Sequence, residues 1–426
     1  MKLYEYIKPF LSLSLRMLTV ITSFLFSWIV ARLFGAKDAG TLFFYVTIIT
    51  IVVTLSCQGA DLGIAKAVAR IKNGEQDKIH GLYKYVVSNS IKGYIIISPL
   101  YFGFLVYEGY DVKTVLILYL LLFVVGLCFL YMNIISYLYQ GLGSIFLMIL
   151  SQRTLFNFLS FLLMSIIWLV FILFNYNLNL IDLNLQISIV MFSSVAAALF
   201  FFVLYNSNIK SSSDKFEPIG FRDSSKDLFR IQALQLVTMY GSQIIINFFS
   251  SKSDIAGFII SQRISTLLGF FVLAISSVIS SRISRAHASN DLNTVKKQAY
   301  QSVIFASSLG VPIGILLIIF SQEFLSLFGH DFIQFRYVLI ILVFSQIINC
   351  LTGACDFVLM FIDGEKEHKV NVLIGTSFAI FLSLILIPTY AALGAAIAAA
   401  VSATIVNILD VISIRKKAGF WVFSAA

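Results

Sequence analysis

The sequence predicts an all-α polytopic membrane protein, with twelve transmembrane helices in two six-helix lobes. A pseudo-twofold axis along the membrane normal relates the lobes around a central cavity. Three observations predict this. Hydrophobic residues make up 59% of the 426 residues and charged residues only 12%, roughly half the charged share of a soluble domain. Apolar runs long enough to span a hydrocarbon core recur from end to end. Lys and Arg gather in alternate connections between those runs, as the positive-inside rule requires.

Turns and charge breaks place the spans at about 10–31, 41–64, 86–106, 114–138, 145–173, 185–205, 229–249, 256–281, 300–320, 335–361, 371–387 and 394–414. The first follows Lys2 and Lys8 but is too long for a signal h-region and lacks a small-x-small cleavage site, so it reads as a retained helix. With both termini cytoplasmic, the inner side receives Lys66, Arg70, Lys72, Lys78, Lys84, Arg282, Arg285, Lys296, Lys297 and the Arg415–Lys417 run, among others. The outer side receives only Arg32, Lys37, Lys113 and Lys252. The net charge of +9 is therefore a topology signal, and no nucleic-acid partner is expected.

The longest polar connection, 206–228, is Ser-rich and separates a lobe at 1–205 from one at 229–426. The halves echo each other: GAKDAGTLFFY enters the second helix and SSKSDIAGFII the eighth. Two repeats of one orientation give an axis along the membrane normal. The four cysteines fall in helices without a C-x-x-C pair, and the four histidines are scattered over separate loops. Neither a disulfide framework nor a metal site follows, and no cofactor is expected.

Ionisable groups inside spans are costly, so each needs a reason. Arg16 lies on a stripe with Ser12, Thr19, Ser23 and Ser27, and Arg153 on one with Asn157 and Ser160. A polar stripe on a spanning helix faces protein or water, so both arginines point to a cavity. Lys92 either snorkels to the headgroups or joins that cavity. Arg263 follows Gln262 in the eighth helix, and the seventh offers Gln235, Thr238 and Ser242. Asp356 continues a stripe of Gln346, Asn349 and Gly353; it is a candidate proton-coupling site, or else the partner of a cavity arginine. Asp61 and Asp410 read as interfacial. A first lobe with three basic groups and hardly any acid suits an anion, and the guanidinium fork suits phosphate.

Four stretches resemble the polysaccharide (O-antigen) flippases of the multidrug/oligosaccharidyl-lipid/polysaccharide exporter superfamily. They are ARLFGAKDAGTLFFYVTIITIVVTLSCQGADLGIAKAVAR (31–70), QRISTLLGFFVLAISSVISSRISRAHASNDLNTVKKQAYQ (262–301), FSQEFLSLFGHDF (320–332) and LIPTYAALGAAIAAAVSATI (386–405). Two departures concern local bends. Ser280 and Ser281 stand where the family often has proline, and its Pro-x-Tyr-Gly is here Pro388-Thr389-Tyr390-Ala391.

The resemblance implies a flippase carrying undecaprenyl-diphosphate-linked oligosaccharide outward across a bacterial inner membrane. Arg16, Lys92 and Arg153 match the family's habit of basic residues in the first lobe. Arg263, Gln235 and Ser242 are the further candidate contacts, and Asp356 the candidate ion-coupling residue. The expected partners are the lipid-linked oligosaccharide, membrane lipids and a glycan polymerase, with the chain acting as a monomer. The alternative is a cation-coupled multidrug exporter of the same superfamily, which should set carboxylates in its cavity. A lipid II flippase would need two more helices. A glycan-processing enzyme would need a sizeable outer loop, and no Gly-Lys dipeptide exists for a Walker A loop.

Overall fold

The computed structural model describes residues 2–71, 76–173, 183–208, 220–289 and 291–424. Regular structure among them is entirely helical, the arrangement in which a segment satisfies its own backbone groups inside a bilayer. The first half of the chain runs through α1 (Lys2–Cys57), α2 (Ala60–Val68), α3 (Gln76–Ile97), α4 (Pro99–Tyr107) and α5 (Val112–Gly141). It continues with α6 (Ile145–Ile149), a π-turn at Leu150–Thr154, α7 (Leu155–Leu173) and α8 (Leu183–Asn208). The second half comprises α9 (Phe221–Phe249), α10 (Lys252–Thr266), α11 (Gly269–Ala288), α12 (Leu292–Ile319) and α13 (Ser321–Ser326). A 3₁₀ turn at His330–Phe335 then leads to α14 (Arg336–Thr352), α15 (Cys355–Phe361) and α16 (Glu365–Ala418).

Eight helical runs are long and apolar enough to cross a membrane, and the bent pair Lys252–Thr266 and Gly269–Ser276 makes a ninth. Two of the eight are double. Non-helical backbone at Gly35 (φ 69°) splits α1, and Ala391 (φ 50°, ψ −130°) splits α16. The remaining span is α9, whose first turns carry Arg222, Asp223, Lys226, Asp227 and Arg230 ahead of an apolar 231–249. These give the twelve expected spans.

Several boundaries differ from expectation. Residues 32–40 were expected as a loop and are helical apart from the break at Gly35. The eighth span bends by 42° between Thr266 and Gly269, and the tenth stops at Gly353 (φ 65°) and restarts as α15. Ala391 occupies the position where the resembled pattern has glycine, and its positive φ explains why glycine serves there. Residues 209–219 of the expected linker 206–228 lie outside the described residues.

Side-chain capping fixes several starts. Asp111 accepts from the Thr114 amide at the head of α5, and hydrogen bonding from the Thr114 side chain, then from its amide, holds the exposed carboxyl below its usual range. Ser251 and Asp254 form a reciprocal capping box on α10, the second of the two echoing turns.

The chain divides into two compact units. The first holds Ser14–Phe34 and Leu42–Leu236; the second holds Met1–Leu13, Gly35–Thr41 and Val237–Ala426. Within the second, the glycines of both echoing turns sit at close approaches. A Cβ on Gly40 would stand 1.8 Å from the Lys252 carbonyl, and one on Gly257 would stand 2.3 Å from the Phe335 ring. The repeated Ala-Gly thus answers a packing need.

On α16, Gly394, Ala398 and Ser402 are buried, and Ser402 Oγ donates to the Gly375 carbonyl at 2.8 Å. Small residues let the two halves of that helix lie close.

Candidate functional site

In the first unit the fifth span is broken where its arginine lies. Gln152 (ψ 52°) and Arg153 (φ 66°, ψ −2°) leave helical geometry, producing the π-turn. Breaks of this kind re-aim side chains and gather at functional sites. Arg153 Nη2 donates to Thr50 Oγ1 at 2.8 Å, and the guanidinium lies 4.7 Å from the Phe129 ring centroid. Beside it Thr19 and Thr154 share a 2.8 Å hydroxyl contact, and Phe26 packs on Phe156. The α1 stripe thus meets the broken turn at Thr154, beside Arg153. Asn157 and Ser160 are buried on the same run. The side chain of Arg16 lies outside the described residues.

Lys92 is exposed and lines a cavity of about 750 Å³ in the same unit, with Asn89, Tyr85, Arg222, Lys226 and Phe229. Close glycine contacts assemble its walls. A Cβ on Gly93 would meet the Ser56 carbonyl at 2.5 Å, and one on Gly59 would meet the Ser225 carbonyl at 2.1 Å. Described lining residues include three cations and no carboxylate. Lys226 reaches Asp223 at 3.0 Å, but both are exposed, so that pair is weak. Arg153 does not line this cavity.

Asp61, expected as interfacial, is fully buried within the protein. Its carboxylate accepts from the Leu62 amide at 2.9 Å, from Asn133 Nδ2 at 2.8 Å, and from Gln232 Nε2 at 3.1 and 3.0 Å. The sequence signal was faint: Asn133 is a polar residue in an apolar run, but Gln232 stands between Arg230 and Gln235. Asp410 in the second unit is likewise fully buried, held by His368 Nδ1 at 2.9 Å and Asn371 Nδ2 at 2.8 Å.

The remaining candidates are dispersed. Gln235 is exposed on α9, within the first unit. In the second unit, Ser242 shares a 3.2 Å contact with Ser383, and Thr238 a 2.8 Å contact with Thr376, so this hydroxyl stripe is met by the first half of α16. Arg263 is half-buried at the end of α10. Asp356 is half-buried in the first turn of α15 and, among the described residues, makes no ion pair with an arginine. No three His, Cys, Asp or Glu side chains among the described residues group to hold a metal ion.

Comparisons with known proteins agree on architecture. A family model described as MatE matches residues 232–389. The probable low-salt glycan biosynthesis flippase Agl15 of Haloferax volcanii is 23% identical over 194 residues, 44% of this chain and 41% of that protein. The probable flippase AglR of the same organism is 25% identical over 177 residues, 41% of this chain and 37% of that protein. The chain thus spans about two fifths of the length of these curated relatives.

Among solved structures, the lipid II flippase MurJ in an inward closed conformation superimposes with a TM-score of 0.73 at 15% identity, covering 95% of this chain and 87% of that one. An inward-facing multidrug resistance MATE family transporter of the MOP superfamily gives 0.68 at 15% identity, covering 96% and 98%.

Proposed function

We propose that this chain, a member of the multidrug/oligosaccharidyl-lipid/polysaccharide exporter superfamily, is a flippase for undecaprenyl-diphosphate-linked oligosaccharide. The cargo is an O-antigen or similar surface-glycan unit, carried from the cytoplasmic to the outer leaflet of a bacterial inner membrane by alternating access. The lobes are 1–205 and 229–426, joined by the cytoplasmic linker 206–228, with both termini inside.

The observation that carries this reading is the cavity beside Lys92, whose described lining holds three cations and no carboxylate. In this reading Lys92 meets the diphosphate at that cavity, and Arg16 and Arg153, the latter outside its lining, are the further phosphate contacts, for which an arginine fork supplies paired donors. Arg263, Gln235 and Ser242 contact the sugars, and Asp356 carries a coupling proton. No chemical step is required of the protein. A diphosphate bearing about two negative charges gains roughly 4–5 kcal/mol per 100 mV on leaving a negative interior. That gain covers only charge the protein does not carry back, which is where proton uptake contributes.

The names of the curated relatives, both probable flippases, support the reading. The fold serves a cation-coupled drug exporter equally well, since MATE transporters share it. Such a protein would hold its cationic cargo with carboxylates, which the described lining of the cavity does not include.

The test is thermal stabilisation of the purified protein by undecaprenyl diphosphate and, separately, by a cationic dye, on wild type and on Arg16→Gln. Stabilisation by the diphosphate lipid alone, weakened in the variant, is the expected result. Stabilisation by the dye alone would replace the flippase reading with drug export.

A further inference from the structure

Among the described residues, Asp61 is the most completely enclosed carboxylate of the first unit, and every donor that reaches it is uncharged. The amide of Leu62, Asn133 Nδ2 and Gln232 Nε2 surround it, and no Lys, Arg or His among the described residues lies within ion-pair distance. A buried carboxylate whose partners are all neutral keeps a net charge in a medium that penalises it.

A second observation points to what offsets that charge. Gln232 is itself 5% exposed, and its Oε1 is buried with no hydrogen-bond partner. The same amide therefore holds Asp61 with its nitrogen and carries an unused oxygen. A half-turn of the amide exchanges the two, bringing Oε1 to the carboxyl. In that pose Oε1 accepts from a protonated carboxyl, or joins the carboxylate oxygens around a small cation. Asn133 carries a second amide oxygen that can turn in the same way.

We propose that Asp61, Gln232 and Asn133 form a monovalent-cation site that takes up a proton or a sodium ion. The site itself stands independently of the flippase reading; only its consequence for transport rests on it. That consequence follows from position. Gln58 (φ 50°) and Gly59 (φ 77°) break the helix immediately before α2, and Gly59 lies against the Ser225 carbonyl and Phe229 amide of α9. Phe229, Arg222 and Lys226 of that stretch wall the cationic cavity, and Gln232 follows less than one turn later. Cation occupancy thus decides how firmly the inner end of α9 is tied to α2 and α5 beside the anion cavity.

Among the described residues, the titratable groups that interact with Asp61 are Cys57 from α1 and Tyr137 from α5, while α9 brings the neutral Gln232 to it. Neither a thiol nor a phenol ordinarily titrates at mildly acidic pH. A change confined to that range therefore reports the carboxyl.

The experiment uses the full chain in lipid nanodiscs, comparing wild type with Asp61→Asn and Gln232→Leu. One arm titrates NaCl against choline chloride at matched ionic strength and reads thermal stability. The other follows the infrared band of a protonated carboxyl from mildly acidic to mildly alkaline pH. A sodium-specific rise in melting temperature, or a carboxyl band that titrates, should appear in wild type and vanish in Asp61→Asn. In Gln232→Leu, which keeps the carboxylate, the sodium response should weaken at least about tenfold. Absence of both signals from folded wild-type protein overturns the proposal and leaves Asp61 a structural anchor. Stabilisation by undecaprenyl diphosphate, read on the same samples, fails or succeeds separately and judges the flippase reading by itself.

Discussion

The hydroxyls of Thr238 on α9 and Thr376 on the first half of α16 lie 2.8 Å apart, and the next pair along the same seam, Ser242 and Ser383, lie 3.2 Å apart. Two polar positions seven residues apart on one helix meet two on the other, a hydroxyl seam between spans. Interhelical hydrogen bonds in bilayers contribute about 0.6 kcal/mol on average and up to about 1.7. Thr376→Val should therefore lower stability by about 1 kcal/mol, and the Thr238→Val, Thr376→Val double variant should fall short of the sum of the singles. A double-mutant cycle on melting in nanodiscs measures this coupling. Strict additivity would mean that the seam is an accident of proximity.

The same seam shows what the sequence could and could not disclose. Thr238 and Ser242 were legible as a polar stripe, because the helical period sorts faces without reference to partners. The period does not say whether a hydroxyl meets a ligand or another helix, since both satisfy it equally. The spans were legible from apolar length together with turns and charge breaks, and the Ala-Gly echo from local repetition. The partners of Asp61 were hidden for a different reason: Asn133 and Gln232 are 72 and 171 positions away, and no local pattern pairs them. The break at Arg153 was hidden as well, since Leu-Ser-Gln-Arg-Thr contains neither Gly nor Pro.

Ala391 yields a prediction of unusual sign. Glycine inside a helix normally destabilises it relative to alanine by about 0.5–1 kcal/mol. At φ 50°, ψ −130° an L-residue is strained instead, at a cost of about 1–3 kcal/mol, while the added freedom of the unfolded chain offsets about 0.4–1. Ala391→Gly should consequently stabilise the protein by about 1 kcal/mol, seen as a higher melting temperature. A lower one would mean that the turn between the two halves of α16 is relaxed with alanine.

The two echoing glycines should respond differently to the same methyl group. At Gly257 the added Cβ meets the Phe335 ring at 2.3 Å, and at Gly40 it meets the backbone carbonyl of Lys252 at 1.8 Å. A ring can shift or be shortened; a carbonyl at a helix start moves only with its helix. Gly257→Ala should cost about 1–3 kcal/mol, and Phe335→Leu in the same chain should recover much of it. Gly40→Ala should cost at least as much and gain nothing from Phe335→Leu. Melting temperatures of the four variants decide this, and equal rescue of both glycine variants would refute the difference in contact.

Arg153 offers the sharpest separation of structure from function. Its guanidinium bonds to Thr50 and lies over Phe129, which fixes its direction while leaving it half-exposed. A hydrogen bond to a charged group contributes about 1.5–3 kcal/mol, so Arg153→Gln should weaken undecaprenyl diphosphate binding roughly ten- to a hundredfold. Arg153→Lys should retain part of the affinity, because a single ammonium keeps the charge but loses the fork. Thr50→Val removes only the orienting acceptor, so its loss of affinity should be smaller than that of Arg153→Gln, with the salt dependence of binding kept. Titration of the lipid against each variant, alongside melting without lipid, distinguishes the two roles. If Arg153→Gln melts lower yet binds the lipid as wild type does, the guanidinium holds the broken fifth span together and the diphosphate is bound elsewhere.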